Sequence, residues 1–507
     1  VGEAWDVVVV GAGTSGCVVT ARLADAGRRV LLLEAGADHP QPGDFPPELR
    51  DPTTMRAAAP GHPANWDLSA ELTDDRTVPV PRGRVVGGSS ALNAGSFIRG
   101  TRADFDGWAA AGNDLWSYDA VLPAFRRLEA DADLGARPGH GTEGPMPVER
   151  PRSGHPLADG FAAAADELGF PAEPDKNADG PPGYGPVPFN VSGGLRVNTA
   201  MAYLSPRRGL AGLTVRGGVT VRRVVVENGR AVGVETADDV VRAAEVVLSA
   251  GAVGSPHLLL LSGVGPAEDL RSAGIPVVAD VPGVGAEFTD HPIVHVGYRP
   301  ARPLTPPPGR LPLHGVLHAT SEGSRVPGDL EILPWLAPFS RITGVPRGDD
   351  PMVAVGLQRE DSRGRLSLVA ADPSGQPRLD YRYLAEESDR RRLRGGVRLA
   401  VDLLRTHALT PLLAGRTGPP DDVLAQDPAL DGWIRTHLTT AIHLAGTARM
   451  GPETDPGAVV DQHLRVRGVV GLRVVDTSVM PQVTSRGPAA TAVMLGERAA
   501  ELMTAGV

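Results

Sequence analysis

The sequence predicts an α/β fold organised around a parallel sheet covered on both faces. Three observations carry that prediction. Val7-Val8-Val9-Val10 is a β-branched run without polar alternation, as a doubly buried strand requires. Gly11-Ala12-Gly13-Thr14-Ser15-Gly16 follows at once, and Cys17, Val18, Ala21, Leu23 and Ala24 then recur at helical spacing up to Gly27, a helix terminator. Val30-Leu31-Leu32-Leu33 is a second uninterrupted apolar strand, ends on Glu34 and closes a βαβ unit.

Composition limits what this unit belongs to. At 507 residues the chain holds about two to four folding units, and 41% apolar residues supply a large core. Its 63 Gly and 48 Pro alternate with apolar runs, which excludes collagen-like or disordered chains and predicts many turns. A formal charge of −10 with no basic cluster excludes a nucleic-acid surface. No apolar stretch approaches the ~18 residues of a spanning helix, so no transmembrane segment is expected. The single Cys17 excludes an internal disulfide and any Cys-based zinc or iron–sulfur site, and no metal is expected. Val1–Asp6 lead straight into the first strand, so no leader peptide is expected and the cytoplasm is the expected compartment.

Beyond the first unit, Ala35–Val78 is rich in Pro and Asp and reads as loop, and a second glycine-dense segment runs from Arg82 to Gly95. Helical pattern covers Asp104–Glu129 and Leu157–Leu168. Strands are expected at Leu213–Val215, Val219–Val226, Ala231–Glu235 and Val246–Leu248, then a helix over Gly251–Ser262. Ile293–Pro351 has the poorest pattern and reads as an irregular excursion, because the prolines of Pro303–Pro312 fit no regular element; by elimination, Leu304–Pro346 is expected at the substrate entrance. Strands at Met352–Leu357 and Gly364–Val369, a helix over Glu386–Leu404, a strand at Leu472–Val475 and a closing helix over Ala489–Met503 complete the chain.

The glycines suggest a ligand. Gly11 permits the tight turn, Gly13 lets a pyrophosphate approach the backbone, Gly16 lets helix and strand touch, and the helix N terminus faces the phosphates. A ligand-free turn is the alternative, but the strand–loop–helix–strand context and Glu34, placed for a ribose 2′-hydroxyl, favour a dinucleotide. The motif alone does not separate FAD from NAD. Regular βα alternation, expected of a nicotinamide dehydrogenase, breaks off after Glu34, and Gly83–Gly95 suits backbone laid flat against a large ring system. The alternative for that segment is a surface hairpin, which the apolar Val85-Val86 and Ala91-Leu92 oppose.

Five segments in order resemble the glucose–methanol–choline (GMC) oxidoreductases, FAD-dependent alcohol oxidases and dehydrogenases. They are Gly83-Arg84-Val85-Val86-Gly87-Gly88-Ser89-Ser90-Ala91-Leu92-Asn93, Gly254–Gly265, Gly283-Val284-Gly285 with Asp290-His291, His443–Gly451, and Val474-Val475-Asp476 with Ser478, Met480 and Pro481. Ser485-Arg486-Gly487-Pro488 is similar to members associated with the redox peptide cofactor mycofactocin. The resemblance implies a Rossmann-type FAD domain in pieces (1–150, 206–292, 455–507) and an inserted α+β substrate domain of antiparallel sheet backed by helices (151–205, 293–454). By position it implies FAD contacts at Gly11, Gly13, Thr14, Ser15, Gly16, Glu34 and Ala35. Trp66, and from the second segment Arg84, Val86, Gly88, Ser89, Asn93, Ala94 and Gly95, are further implied contacts. Val221, Ala250, Gly251, Asp476, Thr477, Pro488 and Ala489 complete the set. Some members bind flavin covalently through a histidine at the position of Leu92, so non-covalent FAD is expected here.

The implied chemistry converts an alcohol to a carbonyl, the carbon-bound hydrogen leaving as hydride to flavin N5 and the hydroxyl proton going to a base. Among thirteen histidines the resemblance singles out His443 as that base. The start of the closing helix, at Gly487-Pro488, offers partial positive charge to the reduced ring; a packing helix without ligand is the alternative. Family members carry His or Asn as a second polar group where this chain has Gly487, and Arg486, Ser485 or Thr484 are candidate substitutes. A non-redox lyase using His443 as acid/base on structural FAD is the competing function. The expected partners are a small alcohol and either O2 or a quinone-like or protein carrier as electron acceptor.

Overall fold

The computed structural model describes residues 5–505 apart from 153, 304, 306–308 and 347. The two apolar runs form β1 (Trp5–Val10) and β2 (Val30–Leu33), joined by α1 (Thr14–Asp25), and Val7–Val10 and Val30–Leu33 are buried. Helix α1 stops as expected: Gly27 has φ +79°, and the Arg28 N–H turns back to Leu23 O at 3.1 Å. The sheet is completed by β3 (Leu213–Arg216), β4 (Arg223–Glu227), β5 (Arg230–Glu235), β6 (Val240–Leu248) and, far along the chain, β7 (Leu472–Val474). Its parallel part runs β3-β2-β1-β6-β7, while the first half of β6 carries the antiparallel hairpin β5-β4.

The chain leaves this sheet through α2 (Gly251–Leu261) and returns to it in β7 and α3 (Ala489–Thr504). Helix α3 lies against α1 at close range. A Cβ on Gly496 would sit 2.7 Å from Val18 Cβ and 2.9 Å from Ser15 O, and Ser15 Oγ donates to Ala492 O at 2.7 Å.

The excursion forms a second sheet. Its order is Leu413–Arg416, Pro292–Pro300, Met352–Leu357, Leu330–Pro334, Gly315–Ala319, Tyr184–Pro186, all antiparallel, with Thr439–Thr440 also pairing the Pro292–Pro300 strand. One face is covered by the Glu387–Leu404 helix, where a Cβ on Gly396 would lie 2.8 Å from Val355 Cγ1. The architecture is therefore α/β, a Rossmann-type parallel sheet with an antiparallel sheet backed by helices.

Three expectations are corrected. Ile293–Pro351 is not irregular: three central strands of the second sheet and the short helix Phe339–Thr343 come from it. In the Pro292–Pro300 strand only alternate positions are fully buried, Val294, Val296 and Tyr298 against half-buried Ile293, His295 and Gly297, so the apolar signal is diluted by half there. Part of the proline-rich stretch expected at the substrate entrance, 304 and 306–308, lies outside the described residues. Ala35–Val78 is not all loop, because Leu68–Thr73 and Arg76–Val80 form a hairpin. That hairpin pairs with Arg378–Asp380, so the segments 1–150 and 293–454 share one four-stranded sheet. Asp104–Glu129 is two helices, Arg102–Ala110 and Tyr118–Leu128, divided at Gly112 (φ +92°).

Gly496→Ala drives a methyl group into Val18, an overpacking that costs about 1–3 kcal/mol. The expected outcome is a lower thermal unfolding midpoint; an unchanged midpoint contradicts this account of the helix contact.

Candidate active site

Four parallel strands end side by side, at Gly11, Glu34, Ser249 and Val475. Gly11 turns the chain with φ +94°, and a Cβ there would lie 2.5 Å from Ser249 O. A Cβ on Gly16 would lie 2.0 Å from Gly11 O, so helix and strand touch only because Gly16 is bare. Gly13 precedes α1 and has free space in front of it, with only Ser249 O within 4 Å of a Cβ, at 3.6 Å. Helix α1 begins without a side-chain cap or an acid in its first turn, leaving the first N–H groups, beginning at Thr14, for an anion. The Ser15 hydroxyl is already given to α3.

The second glycine segment docks on the first and is not a surface hairpin. Gly87 N–H donates to Ala12 O at 2.7 Å and Val86 N–H to Ala37 O at 3.0 Å, while Val85, Val86, Ala91 and Leu92 are buried. Gly88, at φ +53°, would put a Cβ 2.5 Å from Gly13 Cα. Arg84 and Ser89 stay exposed, Asn93 and Ala94 half-buried and Gly95 buried, and the Arg84 guanidinium lies 4.9 Å from the ring centre of exposed Trp66. Glu34 is buried and accepts from Ala12 N–H (2.9 Å) and Gly36 N–H (2.8 Å); burial pushes its carboxyl up to about 7. Half-buried Ala35 follows it, and Val219 N–H reaches Glu34 O at 2.8 Å, two residues before buried Val221.

At the other end, Ala250 and Gly251 open α2. Asp476 takes Gly251 N–H (2.9 Å), Ser255 Oγ (2.5 Å), and both Ser478 N–H (2.9 Å) and Ser478 Oγ (2.5 Å). Its carboxylate is thus engaged within the chain, bracing β7 against α2, while the Thr477 hydroxyl reaches Leu444 O at 3.4 Å.

His443 follows Thr439–Thr440 on a strained turn. Ile442, β-branched, adopts φ +66°, held by Arg82 Nη1 on its carbonyl (2.8 Å) and by its own N–H on Thr440 Oγ1 (3.0 Å). Asp290 Oδ1 accepts both His443 N–H (2.7 Å) and His291 N–H (2.6 Å), and its Oδ2 accepts from Tyr381 (3.1 Å) and Thr440 (2.9 Å). The two rings meet at their Nδ1 atoms, 2.9 Å apart and nearly perpendicular at 84°. Burial first, then the positive charge of Arg82, pushes His443 down to about 3. Gly487 is its neighbour: a Cβ there would lie 3.3 Å from His443 Cε1 and 3.4 Å from Nε2. Pro488 caps α3, whose first turn, opening on Ala489, carries no acid and no side-chain cap, and whose Thr491 Oγ1 is buried without a partner.

Among the candidate substitutes for the missing polar group, Arg486 is turned elsewhere. Its buried guanidinium donates to Gly328 O (3.0 Å) and Ser485 O (2.6 Å) and faces Glu173, Asp104 and Glu331. Ser485 is tied to Asp104 (2.9 Å) and the Thr484 hydroxyl to Arg486 O (2.9 Å). Sequence reasoning placed Asp290 and His291 in a motif but gave them no role, and it gave none to Arg82; their partners lie far along the chain, and no spacing rule pairs them.

The N-terminal and C-terminal sequence models of the family described as GMC oxidoreductase match residues 5–293 and 360–496. The chain belongs to the GMC oxidoreductase family. It is 42% identical over 506 residues, 98% of both chains, to an uncharacterised GMC-type oxidoreductase of Rhodococcus erythropolis. Mitochondrial choline dehydrogenase of Mus musculus is 36% identical over 535 residues, 99% of this chain and 89% of that one. Among solved structures, pyridoxine 4-oxidase from Mesorbium loti superposes with TM-score 0.90 at 31% identity, covering 98% of each chain, and a fungal aryl-alcohol oxidase with TM-score 0.85 at 27% identity, covering all of both chains. As a member of this family the protein is an FAD-dependent oxidoreductase acting on CH–OH donors, and the lyase alternative is not favoured. Among the described residues no helix is long and apolar enough to cross a membrane.

The residues fit FAD: two uncapped helix starts, bare Gly13 between them and the second glycine segment, and a buried orphan hydroxyl at Thr491. Buried Leu92 offers no atom for a covalent link. Acid precipitation of the yellow protein is therefore expected to release all flavin into the supernatant; a yellow pellet contradicts it. Glu34→Gln turns an amide N–H toward the Ala12 or Gly36 N–H, a mismatch of about 1–3 kcal/mol. Titration of the apoprotein with FAD, followed by flavin fluorescence, is expected to show a Kd raised about tenfold, and an unchanged Kd contradicts it.

Proposed function

We propose that the protein oxidises a small-molecule alcohol to its carbonyl compound with His443 as the base that takes the hydroxyl proton. The observation that carries this is a neutral imidazole whose Nε2 edge lies beside Gly487, next to the uncapped start of α3, while its Nδ1 is already engaged. A bound FAD supplies the two-electron acceptor for the hydrogen on the carbinol carbon. Segments 1–150, 206–292 and 455–507 hold that cofactor, through Gly13, Gly88, Glu34 and the starts of α1 and α3. Segments 151–205 and 293–454 shape the substrate side, except that the 68–80 hairpin joins the latter's four-stranded sheet.

The chain's own groups divide the work. The N–H groups opening α3 stabilise negative charge in front of them, where no acid competes. Arg82 and burial keep His443 unprotonated before substrate arrives, so the base form is present without a proton having to leave first. Gly487 contributes space instead of a second hydrogen-bonding side chain. The electron acceptor is O2 or a quinone-like or protein carrier; relatives named oxygen-dependent choline dehydrogenase and pyridoxine 4-oxidase support small alcohols as substrates and are compatible with O2.

His443→Ala is expected to stay yellow while kcat, read as anaerobic flavin bleaching by an alcohol, falls about 10²-fold or more. Undiminished bleaching contradicts the assignment. Because His443 is held near 3, its neutral form is constant between pH 5 and 8, and kcat/KM is expected to show no acid limb near 6.5. A limb there that disappears in His443→Ala contradicts it.

A further inference from the structure

The hydrogen bond between two Nδ1 atoms constrains both rings. At 2.9 Å it holds a single proton, so one ring donates and the other presents a lone pair. His443 can accept a proton on Nε2 only if its neutral form carries hydrogen on Nδ1, which requires His291 Nδ1 to be bare and His291 to carry its own proton on Nε2.

The surroundings of His291 allow that state. The ring is fully buried, and Asp290 fixes the backbone N–H of both histidines, holding the rings in register. His291 Nε2 is enclosed with no partner at hydrogen-bond distance, and the one neighbour favouring a proton on the ring is the Thr484 backbone. Burial, His443, Arg359 and Arg486 push its protonation well below the usual imidazole range. The other charged groups facing the pair are Arg82, which opposes protonation of His443, and Asp290, whose oxygens are spent on the two N–H groups, Tyr381 and Thr440. His291 thus stays neutral and is able to present a lone pair on Nδ1. Among the described residues it makes the only side-chain hydrogen bond to the His443 ring.

We propose that His291 is a positioning residue that locks His443 in the Nδ1–H tautomer and so makes Nε2 the base. This rests on the reading of His443 given above. When the hydroxyl proton bonds to Nε2, the Nδ1–H bond is kept, and the new imidazolium charge lies against the bare Nδ1 of His291. The pair thereby gains a charge-assisted hydrogen bond at the moment of proton transfer. With Gly487 offering no side chain, polar support for the base comes from behind the ring.

The test has two arms. In the first, the wild-type holoprotein is labelled with 15N-histidine, and the imidazole signals of His443 are identified by their loss in His443→Ala. At pH 7 the expected spectrum shows Nδ1 protonated and Nε2 bare, with no change down to pH 5.5; a proton on Nε2 overturns the proposal. In the second, His291→Leu removes the acceptor and His291→Asn restores one through Oδ1. Flavin content is expected to be unchanged in both. Leucine is expected to lower kcat about 10²-fold with KM little altered and, because burial and Arg82 still act on His443, to leave the pH profile without an acid limb near 6.5, and asparagine to recover activity to within about tenfold of wild type. Unchanged kcat in His291→Leu, with His443→Ala inactive, overturns the lock alone. A fully active His443→Ala overturns the underlying reading and the lock with it.

Discussion

The close crossing of α1 and α3 is the constraint on which the rest of the molecule depends. Residues 14–25 and 489–504 stand at opposite ends of the chain, yet Gly496 lies against Val18 and Ser15, and the Ser15 hydroxyl caps the Ala492 carbonyl. The contact brings two uncapped helix starts to the same edge of the parallel sheet. Each carries partial positive charge and neither has an acid in its first turn, so the edge is prepared for negative charge before any ligand arrives. The second glycine segment closes the cradle because Gly88 carries no Cβ where it meets Gly13 Cα.

The catalytic side is arranged by the opposite electrostatic logic. Burial and three arginines keep the histidine pair neutral, while the one carboxylate at hand, Asp290, is consumed by backbone N–H groups and hydroxyls. A free carboxylate at hydrogen-bond distance from His443 would favour its protonated form. The strained backbone at Ile442, fixed by Arg82 and Thr440, sets the ring at the boundary between the two sheets.

Much of this was legible in the sequence, for a physical reason. The parallel strands are buried on both faces and read as unbroken apolar runs, and Gly11, Gly16 and Gly88 are required by backbone contacts shorter than any Cβ tolerates. The Pro292–Pro300 strand of the second sheet was not legible, because its buried signal falls only at alternate residues such as Val294, Val296 and Tyr298 and is interrupted by Gly297. Gly487 was found as a gap in a motif, and the structure places that gap beside His443. The direction of Arg486 and the His291 partnership were not readable, since both follow from tertiary neighbours more than a hundred residues away.

The central claim is that the two helix starts and His443 enclose one flavin. A crystal structure of the FAD-loaded protein tests it most directly. The account predicts the pyrophosphate at the start of α1, the pyrimidine edge of the ring at the start of α3, and His443 Nε2 facing the reactive centre. A ring bound elsewhere, or one facing a side of His443 other than Nε2, would contradict it.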